Sequence, residues 1–235
     1  MEKVNFHHFD AEYASAYHTL LGLPKPHGSE LGFVCHFVCG SGVWLAAAQA
    51  LGAQRVMGID AARPDDAPRC IPESVVAQYD LSQISVSLPQ PADLAISVLF
   101  LQQLPEERAA KFIEDLCTSA KAVLFGALAP FETSDRTAHL KWPSYWASVF
   151  AKHGYYPELR FRPAIWSNRF IDPSIRQNVL LYVKRAKNYR FPMPYENLDV
   201  VHPSLFELYM TRQNWFAKQL TKSTIGKILG ASKEK

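Results

Sequence analysis

Two glycines and a distant aspartate form the pattern with the clearest chemical meaning. Gly40 and Gly42 stand between an apolar run and an alanine-rich segment, where glycine permits a sharp turn and lets a ligand approach the backbone. Asp60 ends the next apolar run, about 20 residues further on, at the spacing where a carboxylate binds ribose hydroxyls. The pattern predicts a nucleoside-binding loop. The alternative, in which Asp60 only caps the next segment, stays open.

A second group of side chains, aromatic and polar, lies further along the chain and is suited to binding another molecule. Aromatic rings stack on sugar rings or bases, guanidinium groups bind phosphate or carboxylate, and amides add hydrogen bonds. Each member of the group could instead be a solvated surface residue. The candidate substrate-binding residues are Trp142, Tyr145, Arg162, Trp166, Arg176 and Asn178.

His139 is the candidate catalytic residue. It follows a polar loop and lies just before the aromatic segment that begins at Trp142. A reacting hydroxyl must lose its proton, and histidine is the side chain that most often accepts one. A solvent-exposed loop histidine is the open alternative.

The elements that must position these residues are predicted by the hydrophobic pattern. Short apolar runs predict strands, and longer amphipathic runs with capping signals predict helices. Because strand–helix–strand units join parallel strands, we predict an α/β fold: a doubly wound, mostly parallel Rossmann-like sheet with helices on both faces and an antiparallel edge strand. The predicted strands are 32–38, 55–59, 75–81, 94–101, 122–129 and 179–183, and the predicted helices are 11–23, 43–51, 106–120 and 142–152.

Several segments resemble the class I S-adenosylmethionine-dependent methyltransferases. The segment GFVCHFVCGSGVWLAAAQALGAQRVMGID resembles their glycine loop through the second strand, and PADLAISVLFLQQLPEERAAKFIEDL resembles their fourth strand and the following helix. The segments HLKWPSYWASVFAKHGYYP, RPAIWSNRF and IRQNVLLYV are similar to a bacterial branch associated with methylation of surface polysaccharide or related small molecules. The resemblance covers residues 30–205.

This resemblance implies S-adenosyl-L-methionine as the cofactor. Gly40 and Gly42 would line it, Asp60 would hold the ribose hydroxyls, and Asp80 would sit near the adenine amino group. The neighbouring positions His36, Cys39 and Leu99 are further candidate cofactor-binding residues.

The loop departs from the family pattern at positions where charge or glycine is usual. His36 stands where the family has an acidic residue, and Val38 stands where it has the first glycine. Gln102 and Gln103 replace the glutamate and histidine that often follow the fourth strand. The motif is therefore degenerate, and weaker cofactor binding is expected.

Composition places limits on the function. The net charge of +3 over 235 residues does not favour a nucleic-acid partner. The N-terminus shows no secretory signal, so a cytoplasmic protein is expected. No metal site is expected, because strand alternation directs Cys35 and His36 to opposite faces.

The domain organisation is predicted in three parts. Residues 1–29 form an N-terminal helix and linker, 30–204 the methyltransferase-like domain, and 205–235 a basic amphipathic tail. Such a tail can dock on a partner protein or an anionic membrane surface, or pack on the domain.

Two functions fit these observations. The first is O-methylation, with S-adenosylmethionine, of a hydroxyl on a glycan, a sugar or a related small-molecule acceptor. The alternative is a non-catalytic methyltransferase-like protein that binds a partner enzyme or a glycan. A Rossmann protein that binds NAD or a nucleotide sugar is disfavoured, because Leu45 stands where its third glycine would be.

Overall fold

A seven-stranded sheet forms the centre of the fold. The structure is a computed structural model, and it describes residues 9–25, 31–61, 69–81, 85–86, 88–101, 104–132 and 140–211. The strands are β1 (Phe33–Phe37), β2 (Arg55–Asp60), β3 (Val76–Gln78), β4 (Ala92–Val98), β5 (Ala120–Gly126), β6 (Tyr155–Pro157) and β7 (Leu180–Lys184). The helices are α1 (Asp10–Leu21), α2 (Val43–Ala50), α3 (Glu106–Ser119), α4 (Pro143–Lys152), α5 (Phe161–Trp166) and α6 (Pro173–Asn178).

The strand order is β3-β2-β1-β4-β5-β7-β6. The pairs among β1 to β5 are parallel, whereas β7 is antiparallel to both β5 and β6. Antiparallel pairing is therefore confined to one edge. β2 and β3 are added on one side of β1 and the later strands on the other, so the strand order reverses between β1 and β4. This arrangement confirms the predicted doubly wound, mostly parallel sheet.

Successive side chains of β1 pack alternately in two apolar cores, one on each face of the sheet. Cys35 and Phe37 pack in the core that contains Phe112 of α3 and Phe150 of α4. Val34 faces the opposite core, which includes Leu20 of α1, Leu45 of α2, Phe161 of α5 and Ile175 of α6. Burial of both faces explains why the strands are continuous apolar runs.

Several observed elements differ from the predicted ones: β3 is shorter than the predicted strand 75–81, and β5 begins and ends earlier than the predicted strand 122–129. β4 ends at Val98 and not at Leu101, because Leu99 adopts a left-handed backbone with φ 55°. The elements β6, α5 and α6 were not predicted, and each has only three to six residues. Segments this short carry too few residues to show a period.

The chain divides into two units, Met1–Val200 and Val201–Lys235. The first unit contains the sheet and the six helices, with α1 packed against α2. In the second unit residues 203–211 are helical, and the predicted tail beyond residue 211 lies outside the described residues. Within the described part of the chain, no helix combines the length and apolar character needed to cross a membrane.

Candidate functional site

The predicted glycine loop follows β1 at the carboxyl edge of the sheet. Gly42 donates its N–H to the carbonyl of Cys39 at 2.8 Å, which closes a tight turn, and α2 begins at the next residue. Gly42 has a φ of 83°, and a Cβ there would collide with Ile71. Among the residues that the structure describes, none has an atom within 4 Å of a Cβ built on Gly40. These residues therefore leave space for a ligand beside Gly40.

Asp60 fastens this loop to β2. Its Oδ2 accepts the N–H of Gly40 at 2.6 Å, and its Oδ1 accepts the N–H of Ala61 at 2.9 Å. The side chain is 9% exposed, so the carboxylate is largely desolvated. Each carboxylate oxygen has a second lone pair and can accept a further hydrogen bond. The structure thus brings together Gly40 and Asp60, which were predicted to form one nucleoside site.

Two residues without a glycine's freedom adopt left-handed backbones at this edge. Val38 follows β1 with φ 62°, and Leu99 follows β4 with φ 55°. Their amides are fixed at 2.7 Å by the carbonyls of Ile59 and Gly126. Such conformations cost of order 1–3 kcal/mol each and occur at ligand-binding and active sites. The two strained residues flank the point between β1 and β4 where ligands bind in open α/β sheets.

His36 lies beneath the loop, inside the core. It is 4% exposed, and its ring packs edge-on against Trp44 at 6.2 Å between centroids. Its Nδ1 is buried and has no hydrogen-bond partner among the described residues. Burial lowers the pKa of His36 to about 3. The imidazole is therefore neutral at physiological pH and supplies no negative charge where the resembled family has a carboxylate.

The other candidate cofactor residues have different surroundings. The Cys39 side chain is buried against Gly58 of β2, so its backbone is the part that borders the loop. Asp80 is exposed and follows β3, next to Tyr79, whose N–H donates to the carbonyl of Asp60 at 2.7 Å. Leu99 is half-buried and lines a cavity.

That cavity, which we call the strand-end cavity, has a volume of about 610 Å³. Its floor is formed by Val98 and Leu99 at the end of β4, and Trp44 of α2 lines one side. The first turns of α1 and the segment 169–176 form the remaining walls. Its size is typical of cavities that hold small molecules.

The predicted substrate-binding residues separate into several locations. Arg176 lines the strand-end cavity. Arg162 and Trp166 line a second cavity of about 460 Å³ between α5, β7 and residues 193–200, which we call the edge cavity. There Arg162 donates to the carbonyl of Leu198 at 2.7 Å, and burial lowers the pKa of its guanidinium to about 10.

The remaining aromatic candidates lie at the start of α4. Trp142 packs against Phe131, with ring centroids 5.7 Å apart. Tyr145 is 41% exposed, and the Lys141 ammonium lies 5.3 Å from its ring centroid. His139, the candidate base, lies outside the described residues.

Sequence reasoning missed a buried polar cluster formed by Glu132, Gln177 and Asn178. Oε2 of Glu132 accepts the N–H of Ala129 at 2.8 Å and a side-chain N–H of Asn178, and the Ser174 side chain also interacts with this carboxylate. Burial raises the pKa of Glu132 above its usual value. Asn178, predicted to bind substrate, therefore has its amide nitrogen engaged by this carboxylate. An isolated acid in a loop gave no sequence signal for the cluster.

In the parts of the chain that the structure describes, no group of histidine, cysteine and acidic side chains could hold a metal ion. The four cysteines, Cys35, Cys39, Cys70 and Cys117, are buried free thiols.

The fold is shared with solved methyltransferase structures. Magnesium protoporphyrin IX methyltransferase from Synechocystis, solved with bound S-adenosylmethionine, superposes with a TM-score of 0.51 at 19% identity over 79% of this chain and 86% of that chain. The sugar N-methyltransferase from Streptoalloteichus gives a TM-score of 0.53 at 11% identity over 77% of this chain and 90% of that one. No protein-family model matches the sequence, and no curated protein has a similar sequence. At these identities the likeness shows that the chain has the class I methyltransferase fold.

Proposed function

We propose that the protein is an S-adenosylmethionine-dependent methyltransferase. The observation that carries the proposal is the contact between Asp60 and Gly40 beside open space, next to the strand-end cavity. A carboxylate with free lone pairs at the end of β2 suits ribose hydroxyls, and the exposed backbone of the loop suits the rest of a nucleoside. The methyltransferase fold of the sheet supports the same cofactor.

The residues present fit this cofactor, although less completely than the resembled pattern. Asp60 would hold the ribose, Gly40 would allow close approach, and Asp80 would lie toward the adenine. S-adenosylmethionine, when bound, supplies a methyl group that its sulfonium activates for in-line displacement. The chain's main task is to align the acceptor with that group, since proximity provides much of the rate.

We infer that the acceptor is a hydroxyl on a glycan or a sugar-linked small molecule. The aromatic segment from Trp142 to Trp166 supports this proposal, because exposed or half-buried rings stack well on sugars. The sugar N-methyltransferase that shares the fold supports the sugar part of this proposal. His139 is assigned as the base that would take the proton of the hydroxyl, whose oxygen would gain the methyl group as the carbon–sulfur bond breaks and S-adenosylhomocysteine leaves.

A second candidate function is a non-catalytic methyltransferase-like protein that binds a partner enzyme or a glycan. The observation that favours it is the environment of His36 and Val38. The first is neutral and buried where a carboxylate would attract a cationic cofactor, and the second adds a strained side chain to the loop.

Calorimetric titration with S-adenosylmethionine and S-adenosylhomocysteine separates the two functions. We expect micromolar dissociation constants for the wild-type protein and a loss of about tenfold or more for Asp60→Ala, the scale of a lost hydrogen bond to a charged group. Glu114→Ala is the matched control, because it removes an exposed carboxylate of α3. Absence of binding up to millimolar concentration would contradict the enzymatic proposal and favour the partner-binding one.

A further inference from the structure

Arg176 has the properties of a guanidinium that lacks its partner. It belongs to α6, lines the strand-end cavity, and is 7% exposed. Its Nη1 donates to the carbonyl of Trp166 at 3.3 Å, and its Nε is buried with no hydrogen-bond partner in the part of the chain that the structure describes. Among the described residues no carboxylate lies within ion-pair distance of it.

Burial of such a group is unfavourable unless an anion compensates it. A desolvated charge needs a paired charge and satisfied donors. Burial lowers the pKa of Arg176, and Asp172, one turn earlier, offsets that effect only in part. Oδ1 of Asp172 accepts the N–H of Ser174 at 2.7 Å and caps α6. The fold therefore keeps a guanidinium at the cavity wall without giving it a carboxylate of its own.

The position of the cavity indicates which kind of molecule could supply the anion. Val98 and Leu99, at the end of the strand next to β1, line it, and so does Trp44, two residues after Gly42 of the proposed cofactor loop. Glu12 and Asp172 also line it, as does the exposed Arg169. A wall with both signs of charge suits a ligand that carries an anionic group beside a polar or cationic one.

We propose that Arg176 is an anion-binding residue of the strand-end cavity and holds a carboxylate or phosphate group of the ligand bound there. This inference rests on the proposed function, and the anion could come from either reactant. One source is the carboxylate at the amino-acid end of the cofactor. The other is an acidic group on the acceptor, such as a uronate or a sugar phosphate.

The first arm of the test compares two ligands that differ in the amino-acid end. S-adenosylhomocysteine carries a carboxylate, whereas 5′-methylthioadenosine has the same nucleoside without it. If Arg176 holds the cofactor's carboxylate, Arg176→Gln weakens S-adenosylhomocysteine binding by about tenfold to a hundredfold and leaves methylthioadenosine binding unchanged. Arg176→Lys should retain part of the affinity because it keeps the charge but loses the planar fork.

The second arm uses inorganic phosphate as the probe, titrated into the protein with and without saturating S-adenosylhomocysteine. If the acceptor supplies the anion, the wild-type protein binds phosphate in the presence of S-adenosylhomocysteine, and Arg176→Gln abolishes that binding. Arg190→Gln is the control, since it removes an exposed guanidinium that does not line this cavity. An equal effect of both substitutions would overturn the assignment to Arg176.

The variant should remain folded, because glutamine removes an uncompensated buried charge. Thermal unfolding of Arg176→Gln checks this point, and we expect its midpoint to be no lower than that of the wild type. If Arg176→Gln changes neither S-adenosylhomocysteine nor phosphate binding, the inference is wrong. If the wild type binds no S-adenosylhomocysteine at all, the proposed function fails, and loss of phosphate binding in Arg176→Gln still decides the role of Arg176.

Discussion

At the scale of single residues, His36 makes the stability of the protein depend on pH. Its pKa in the folded state is about 3, below the ordinary value of 6.5, because the ring is buried and the charged form is desolvated. The unfolded chain therefore binds a proton on this histidine more readily than the folded chain does. Above pH 6.5 His36 is neutral in both states and does not affect the free energy of unfolding. As the pH falls from there toward 3, the free energy of unfolding decreases progressively.

His36→Leu should remove this loss. At pH 7 we expect a free energy of unfolding within about 1 kcal/mol of the wild type, since an apolar group of similar size replaces a neutral ring with an unsatisfied nitrogen. At pH 4.5 the variant should be clearly more stable than the wild type. Urea unfolding at both pH values measures the difference, with the half-buried turn residue His153 changed to Gln as the control. Equal acid sensitivity of His36→Leu and the wild type would contradict the prediction.

The residue types at the loop explain what sequence reasoning could find there. The family pattern places a glycine at position 38, and the structure shows a left-handed backbone at Val38, which is the physical reason for that glycine. The pairing of Asp60 with Gly40 follows from the spacing between neighbouring strands, so it could be predicted from the sequence. The role of Glu132 could not be predicted, because its side-chain partner Asn178 comes from α6, whose position depends on tertiary packing that no local pattern encodes.

At the scale of elements, β6 depends on one tyrosine. The hydroxyl of Tyr155 is buried, and its single proton is shared between the carbonyls of Cys117 and Ala120, at the end of α3 and the start of β5. These carbonyls lie where the helix can no longer satisfy them. A strand of three residues has few ladder bonds of its own, so this side chain fastens the edge of the sheet to the core.

Tyr155→Phe should destabilise the protein by about 1–3 kcal/mol, because the ring still fills its space but two buried carbonyls lose their donor. Urea unfolding should show a lower midpoint with an unchanged slope, since the same surface is exposed on unfolding. Tyr156→Phe, at the half-buried neighbouring position, is the matched control and should change stability by less than about 0.5 kcal/mol. A similar effect of both changes would show that the Tyr155 hydroxyl does not fasten this edge.

The elements found from the sequence are those with a strong period or a long apolar run. The predicted β1, α2, β2, α3 and α4 lie within a few residues of the observed bounds, because buried parallel strands and capped helices carry clear local signals. The end of β4 was misplaced, since the apolar run continues through Leu99 while the backbone turns. That turn is imposed by the bond from the Leu99 amide to Gly126 of the next strand.

At the scale of the whole molecule, the two ends of the sheet are built differently. At the amino ends of the strands, Asp93 binds the Phe33 amide at 2.8 Å and the Lys121 ammonium at 2.8 Å, which ties β1, β4 and β5 together. At the carboxyl ends, two strained residues, the glycine loop and the strand-end cavity adjoin one another. The strained residues and the open space thus lie at the carboxyl ends of the strands, and the tight side-chain pairing lies at the amino ends. We therefore expect a ligand to bind at the carboxyl edge.

This polarity predicts where a ligand changes local stability. Hydrogen exchange with S-adenosylhomocysteine at about 100 times its dissociation constant, which stabilises the folded state by about 2.7 kcal/mol, should slow exchange most in residues 38–42, 60–61 and 98–101. Those amides belong to turns at the carboxyl edge, where local opening is easier than in the strands. Residues 92–94 and 120–122, at the amino ends of β4 and β5, should show only the general stabilisation. Methylthioadenosine should protect the loop but not residues 169–176 if Arg176 holds the cofactor's carboxylate. Protection centred on the amino ends would place the ligand elsewhere and contradict both the site and the function proposed from it.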